Sequence, residues 1–206
     1  MLFRSVAGSG SKALTPQLVF RAPASSAGQV RIDQAGVLEA GTFNVNAGGQ
    51  LRIEDGSQIN IRNEGLAVYG TLLAADARIK FLWTAYLRFY GAGALSRSLV
   101  DIYVYNDVEV YGTLIADHVV FDGVRDNREP DSVAVFAGGE ASFTWCNFQD
   151  ILVNLSGQGS FDLSTFTNPD GDGIVVKGDG TAEVSRCHLL NFKGDAIRNE
   201  GQGEAA

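Results

Sequence analysis

Residues 68–81 read VYGTLLAADARIKF and residues 110–121 read VYGTLIADHVVF, 42 positions further on. Repetition of this kind marks either a duplicated domain or the turns of a repeat architecture. The glycines decide between them. Those that open a short alternating segment fall at Gly36, Gly49, Gly70, Gly93, Gly112, Gly139, Gly159, Gly180 and Gly203, and six of the eight gaps lie between 19 and 23 residues. The twin segments are therefore two periods apart, with a diverged copy beginning at Gly93 between them.

Counted from Gly36, Gly112, Gly139 and Gly180, the second, fourth, seventh and ninth residues are apolar; from Gly159 the pattern gives Phe161, Leu163 and Phe166 and breaks at Asn168. After Gly112 they are Leu114, Ala116, Val119 and Phe121; after Gly139, Ala141, Phe143, Cys146 and Phe148; after Gly180, Ala182, Val184, Cys187 and Leu189. Positions two and four alternate, as do seven and nine, with the parity shifted between. That is a strand, a bend and a second strand, each with one buried face. A third strand closes each repeat: LAVYG (66–70), LRFYG (87–91), VEVYG (108–112), VAVFAG (133–138) and IVVKG (174–178).

A turn of about 21 residues that holds three short strands leaves little room for a helix. Stacking such turns pairs each strand with its counterpart one turn away and buries a continuous core. The spacing predicts an all-β fold, a single-stranded parallel β-helix of about eight turns over residues 28–206. Residues 1–27 do not fit the template and read as an irregular N-terminal cap or tail, with LTPQLVF (14–20) as a capping strand. GEAA (203–206) matches GEAS (139–142), so the chain is expected to stop in mid-repeat, truncated at its C-terminus. The consensus of a leucine-rich repeat is missing, and a β-sandwich would not hold inward residues in register over so many copies.

The pattern resembles the right-handed parallel β-helix, or pectin-lyase-like, superfamily. GDGIVVKGDG (171–180) and KGDAIRNEG (193–201) are similar to its generic repeat, in which Gly-Asp precedes an Ile strand. The resemblance implies a right-handed coil. It leaves the chemistry open, because the superfamily holds polysaccharide lyases, glycoside hydrolases, adhesins, phage tail proteins and non-catalytic surface proteins.

Two catalytic constellations follow from the resemblance. GDGI (171–174) resembles part of the polygalacturonase signature and puts Asp172 at its catalytic position; GDAI (194–197) resembles the next turn of that signature and supplies Asp195. Carboxylates on adjacent turns suit acid–base attack on a glycosidic bond. The departures are that Ala196 replaces a second aspartate, no His-Gly follows, and Arg78-Ile79-Lys80 lies upstream. Polysaccharide lyases of this fold use an Arg or Lys base beside carboxylates that hold calcium. Arg186 with Asp162 and Glu183 carries that chemistry in outline. These residues fall among third positions (Ser142, Asp162, Glu183) and sixth positions (His118, Trp145, Thr165, Arg186), near His188. The competing reading is a solvated face with ordinary charge pairs.

Tyr69, Tyr90 and Tyr111 end the third strand in three turns, and Phe136 continues the column. They alternate with inward Val68, Phe89, Val110 and Val135, so they are expected to point out. They are the candidate ligand-binding residues, as a platform for sugar rings; cross-strand aromatic packing is the other reading. Trp83 and Tyr86 can extend either version. NPDGDG (168–173) places Asp170 and Asp172 in a turn able to hold calcium, the one cofactor the sequence suggests, against the reading of a plain turn. Cys146 and Cys187 lie inward and two turns apart, beyond disulfide reach, so both are expected to be reduced core residues.

Sixteen Lys+Arg against 24 Asp+Glu give a net charge of −8, which disfavours nucleic acid as a partner. No apolar run reaches the roughly 18–20 residues of a membrane span, and no signal core follows Arg4. The expectation is a non-catalytic, extracellular or cell-surface β-helical module of bacterial type, structural, adhesive or polysaccharide-binding. The alternative is a fragment of a polysaccharide lyase or glycoside hydrolase acting on acidic polysaccharide.

Overall fold

The computed structural model describes residues 18–20, 24–26, 29–33, 35–82, 85–102, 107–123, 131–168 and 171–201. They form an all-β parallel solenoid with three faces and no helix among the described residues. The first face stacks eight strands: Gln29–Ile32, Gln50–Ile53, Thr71–Ala75, Ala92–Ser96, Thr113–Asp117, Glu140–Thr144, Gln158–Asp162 and Thr181–Ser185. Seven steps separate the first from the last, so the coil makes about seven turns of roughly 21 residues. Every pairing is parallel, as between Ala92–Ser96 and Thr113–Asp117, and the register shifts only between Ala40 and Thr42, where Val37–Val45 pairs with Gln58–Val68.

The second face runs through Arg78–Leu82, Leu99–Ile102, Val120–Gly123, Asn147–Gln149, Thr165–Thr167 and His188–Leu190. The third runs through Tyr86–Phe89, Asp107–Val110, Ser132–Val135, Leu152–Leu155, Ile174–Val176 and Ile197–Asn199. In the two earliest turns these faces are joined as single bent strands, Val37–Val45 and Gln58–Val68. Leu18–Phe20 and Ala24–Ser26 add a partial rung, parallel to Leu38–Ala40 and Phe43–Val45.

The three corners differ. From Ala75 onward the first-to-second corner is two residues long, and its first residue has a left-handed backbone: Asp76, Arg97, His118, Trp145, Leu163 and Arg186, with φ between 43° and 54°. The corner N–H donates to the next turn, for example Arg97 to Asp117 at 2.9 Å and Trp145 to Asp162 at 3.0 Å. Small residues fill the inside of this corner. Buried Ser164 accepts the Cys146 N–H at 3.1 Å and donates to the Asp162 carbonyl at 3.0 Å; Ser98 does the same for Ala77 and Ser96. A buried polar atom is thus partnered where the chain must bend.

At the third-to-first corner the chain comes so close to the turn before that a side chain has no room. A Cβ on Gly91 would collide with the Gly70 carbonyl, and one on Gly112 with the Gly91 carbonyl. The second-to-third corner alone varies freely, from one residue (41) to eight (124–131), whereas the others hold two or four.

The structure corrects the register at three places: Gly36 precedes the second-face strand Val37–Val45 and does not open a first-face strand, and two corner glycines lie two residues before the ones counted. The first-face strands start directly after Gly91 and Gly157, not after Gly93 and Gly159. Gly93 and Gly159 are core positions, opposite Leu72 and Leu114 and opposite Ala141 and Ala182. Their missing side chains make room for Phe89 and for Leu155 with Phe161.

The core is a column of buried side chains along the axis. Phe121, Phe148 and Phe166 stack on the second face at 5.0 and 4.5 Å, Phe143 and Phe161 stack opposite at 5.0 Å, and the two stacks meet edge to face. In the last turn Val184, Cys187, Leu189 and Phe192 are only partly buried.

Candidate functional site

The outward aromatic column lies at the third-to-first corner. Tyr69, Tyr90 and Phe136 are 49%, 40% and 36% exposed, and Tyr111 is half-buried. Val68, Phe89, Val110 and Val135 beside them are buried, so strand alternation turns the aromatic residues out. Their rings stack in sequence at 4.7, 4.9 and 4.4 Å with interplanar angles of 7°, 11° and 8°. These separations match the spacing of about 4.8 Å between strands. The rings are therefore piled like slices across the axis, with their facing sides covered by one another.

A polar group buttresses the column. The Tyr111 hydroxyl donates to Glu109 Oε2 at 3.1 Å, and Arg88 Nε donates to the same oxygen at 2.7 Å. The Arg88 guanidinium also lies 4.3 Å from the Tyr86 ring centroid. Burial, helped by the Glu109 carboxylate, pushes the Tyr111 phenol up to about 12. Beside the column a hollow of about 220 Å³ is lined by Asn44, Ala67, Tyr69, Arg88 and Tyr90, among others.

The lyase-like trio is only partly brought together. Arg186 Nε donates to Asp162 Oδ1 at 2.8 Å and its Nη2 to Oδ2, a bidentate pair between consecutive turns. The bond to Asp162 raises the Arg186 pKa further. Glu183 stands in a different column: it lies beside Ser160, while Asp162 lies beside Ser185. The same register places Leu163, not Thr165, in the corner column with His118, Trp145 and Arg186. Thr165 begins a second-face strand next to exposed His188. Within the corner column His118 stacks on Trp145 at 5.8 Å, and Arg97 chelates Asp76 at 2.8 and 2.6 Å, which lowers the Asp76 pKa.

Asp172 is occupied by structure. Its Oδ1 accepts the Asp195 N–H at 2.7 Å and its Oδ2 pairs with Arg198 at 2.7 Å. The approach is so close that a Cβ on Gly194 would collide with this carboxylate. Asp195 is exposed. Asp170 and Trp83 lie outside the described residues, and no group of three or more His, Cys, Asp or Glu suited to a metal occurs among the described ones.

Both cysteines are free. Cys146 is buried inside the corner, and burial pushes its thiol up to about 12; burial also raises the partly buried Cys187 thiol. Neither is a nucleophile in waiting.

Two features escaped the sequence. On the second face Arg78 Nε donates to buried Asp101 at 2.6 Å; the next rung, Asp122, titrates above the usual carboxylate range through burial and the charges of Asp101 and Asp150. On the first face a shallow groove of about 610 Å³ is lined by Thr113, Ile115, Glu140, Ser142, Gln158, Ser160, Thr181 and Glu183. Its signal was the shrinkage of outward residues to serine at 142 and 160, where earlier turns carry Arg52 and Leu73. Compared with family models, curated proteins and solved structures, the chain matches none of them. No helix among the described residues is long and apolar enough to cross a membrane.

Proposed function

We propose that the chain is a right-handed β-helix of the pectin-lyase-like type, serving outside the cell or at its surface as a non-catalytic module. Its role is structural or adhesive, with polysaccharide as the partner to test first. The observation that carries this reading is the state of the ionisable side chains. Asp162, Arg186 and Asp172 are closed into pairs within the wall of the coil instead of converging on a cleft. A general base must be able to shed its proton near the working pH, and an arginine chelated by a carboxylate is held further from that condition.

The stacked tyrosines favour a particular kind of glycan contact. Ring faces are spent on one another, so a sugar would meet phenol edges and hydroxyls rather than an aromatic platform. The experiment is retention on insoluble polysaccharides, run beside a screen of uronate polymers with and without calcium. The expected result is no release of reducing ends or unsaturated product. Retention that is lost in Tyr69→Phe/Tyr90→Phe, which keeps the stack and removes two hydroxyls, supports the glycan role. Retention that survives this change removes the ladder from it, and turnover of any uronate polymer overturns the non-catalytic reading.

A further inference from the structure

The outward side chains of the first face change character along the axis. One column runs Arg31, Arg52, Leu73, Ala94, Ile115, Ser142, Ser160, Glu183 in consecutive turns. The early half carries long side chains and the basic ones. The late half carries short ones and forms the groove of about 610 Å³, whose lining includes Glu140 and Glu183 and no cationic side chain. Between the halves lie Ala75, Ala92, Ala94 and Ile115, and Ile115 is 55% exposed. A parallel sheet is ordinarily covered on both sides, and this face has a protruding half that carries Arg31 and Arg52, paired there with Asp33 and Glu54, and a hollow half that carries Glu140 and Glu183.

We propose that this face is the interface of an antiparallel, two-fold homodimer. A two-fold axis lying in the interface, along the strand Thr113–Asp117, sets Ile115 against Ile115 of a second copy. It brings Leu73 over Ser160, Ala94 over Ser142 and Arg52 over Glu183, each contact occurring twice. Arg52 already bonds Glu54 through Nε and Nη2, at 3.2 and 2.6 Å. A guanidinium has five N–H donors, so further ones remain for Glu183. The long side chains of each copy then fill the hollow of the other. Seven strands overlap, about 34 Å along the axis at about 4.8 Å per strand and about 16 Å across five residues. That is roughly 1,100 Å² over both copies, just under the usual range for a stable complex and in the class of weak, reversible ones. The dimer is therefore expected to form at micromolar and higher concentration.

Sedimentation of the full chain over a concentration series tests this. The wild type should sediment as a dimer that dissociates on dilution. Ile115→Asp should be monomeric at every concentration. Arg52→Glu and Glu183→Arg should each weaken the dimer about tenfold, because each removes two symmetry-related pairs, and the double charge swap should recover most of that loss. All three positions are surface positions, so melting temperatures should stay close to wild type. As a second measurement, in a Cys187→Ser background Ile115→Cys should cross-link to itself under mild oxidation, whereas Thr71→Cys should not. A wild type that stays monomeric at the highest attainable concentration overturns the proposal. So does a dimer indifferent to Ile115→Asp, or a charge swap that recovers nothing after both single changes have weakened association.

Discussion

Replacing Tyr90 by alanine removes the middle of a continuous stack. Its ring touches Tyr69 at 4.7 Å and Tyr111 at 4.9 Å, and 60% of the residue is hidden from water. An offset or stacked aromatic pair adds about 0.5–1.5 kcal/mol beyond area burial, so two pairs contribute about 1–3 kcal/mol. Roughly 100 Å² of hidden ring, at about 25 cal/mol per Å², adds a comparable amount. Tyr90→Ala is therefore expected to cost about 3.5–5.5 kcal/mol by these terms. Tyr69→Ala, which loses one stacking partner in the column, should cost distinctly less. Urea melts followed by far-ultraviolet circular dichroism give both values, and a double-mutant cycle isolates the contact. The coupling between Tyr69 and Tyr90 should be about 1 kcal/mol. That between Tyr69 and Phe136, two rings further along, should vanish within about 0.3–0.5 kcal/mol. Equal coupling in the two cycles would refute the slice-like stacking and return the rings to the role of a flat platform.

Phe148 stacks on Phe121 and Phe166 and meets Phe143 and Phe161 edge-on; Phe148→Ala should cost about 3–5 kcal/mol, read from the same melts, and a smaller loss would mean that the core collapses into the cavity. The Tyr111 phenol, held up at about 12 against an ordinary 10.0, keeps its proton longer in the folded chain than in the unfolded one. Its contribution to stability is therefore complete below pH 10 and is lost as pH rises towards 12; ultraviolet titration should show a late phenol that disappears in Tyr111→Phe. Cys146, with its thiol pushed up to about 12, should resist a thiol reagent until the chain unfolds; rapid labelling of the native protein in a Cys187→Ser background would contradict its burial.

The period, the three strands per turn and the inward residues could be read from the chain because a half-buried strand repeats every two residues. The same periodicity limited the reading. A shift of two residues keeps every side chain on its proper face but moves it to another column. Gly93 and Gly159 could therefore stand in for the corner glycines Gly91 and Gly157 without disturbing the alternation. Counting from Gly159 puts Asp162 in the column of Glu183 for the same reason, and puts Thr165 in the place that Leu163 holds. The aromatic column was correctly turned outward, because direction is a matter of parity. The plane of each ring was not legible, because it depends on how neighbouring turns crowd the side-chain torsion. Nor was the occupancy of Asp172 visible, since its partners, the Asp195 N–H and Arg198, come from the next turn.

The unequal corners confine where such a chain can take on new sequence. Two of the three edges are stitched, one by left-handed residues bonded to the following turn and one by glycines pressed against the preceding carbonyl. Corners there hold either two residues or four, so length changes only in that one step. The remaining edge already tolerates between one residue and eight, and lengthening a loop carries only a slowly growing entropic cost. The protein is in effect a rod with a single permissive margin. Peptides grafted within 124–130 should be displayed at one fixed height along it, and a row of them, one per turn, would form a fringe along a single side.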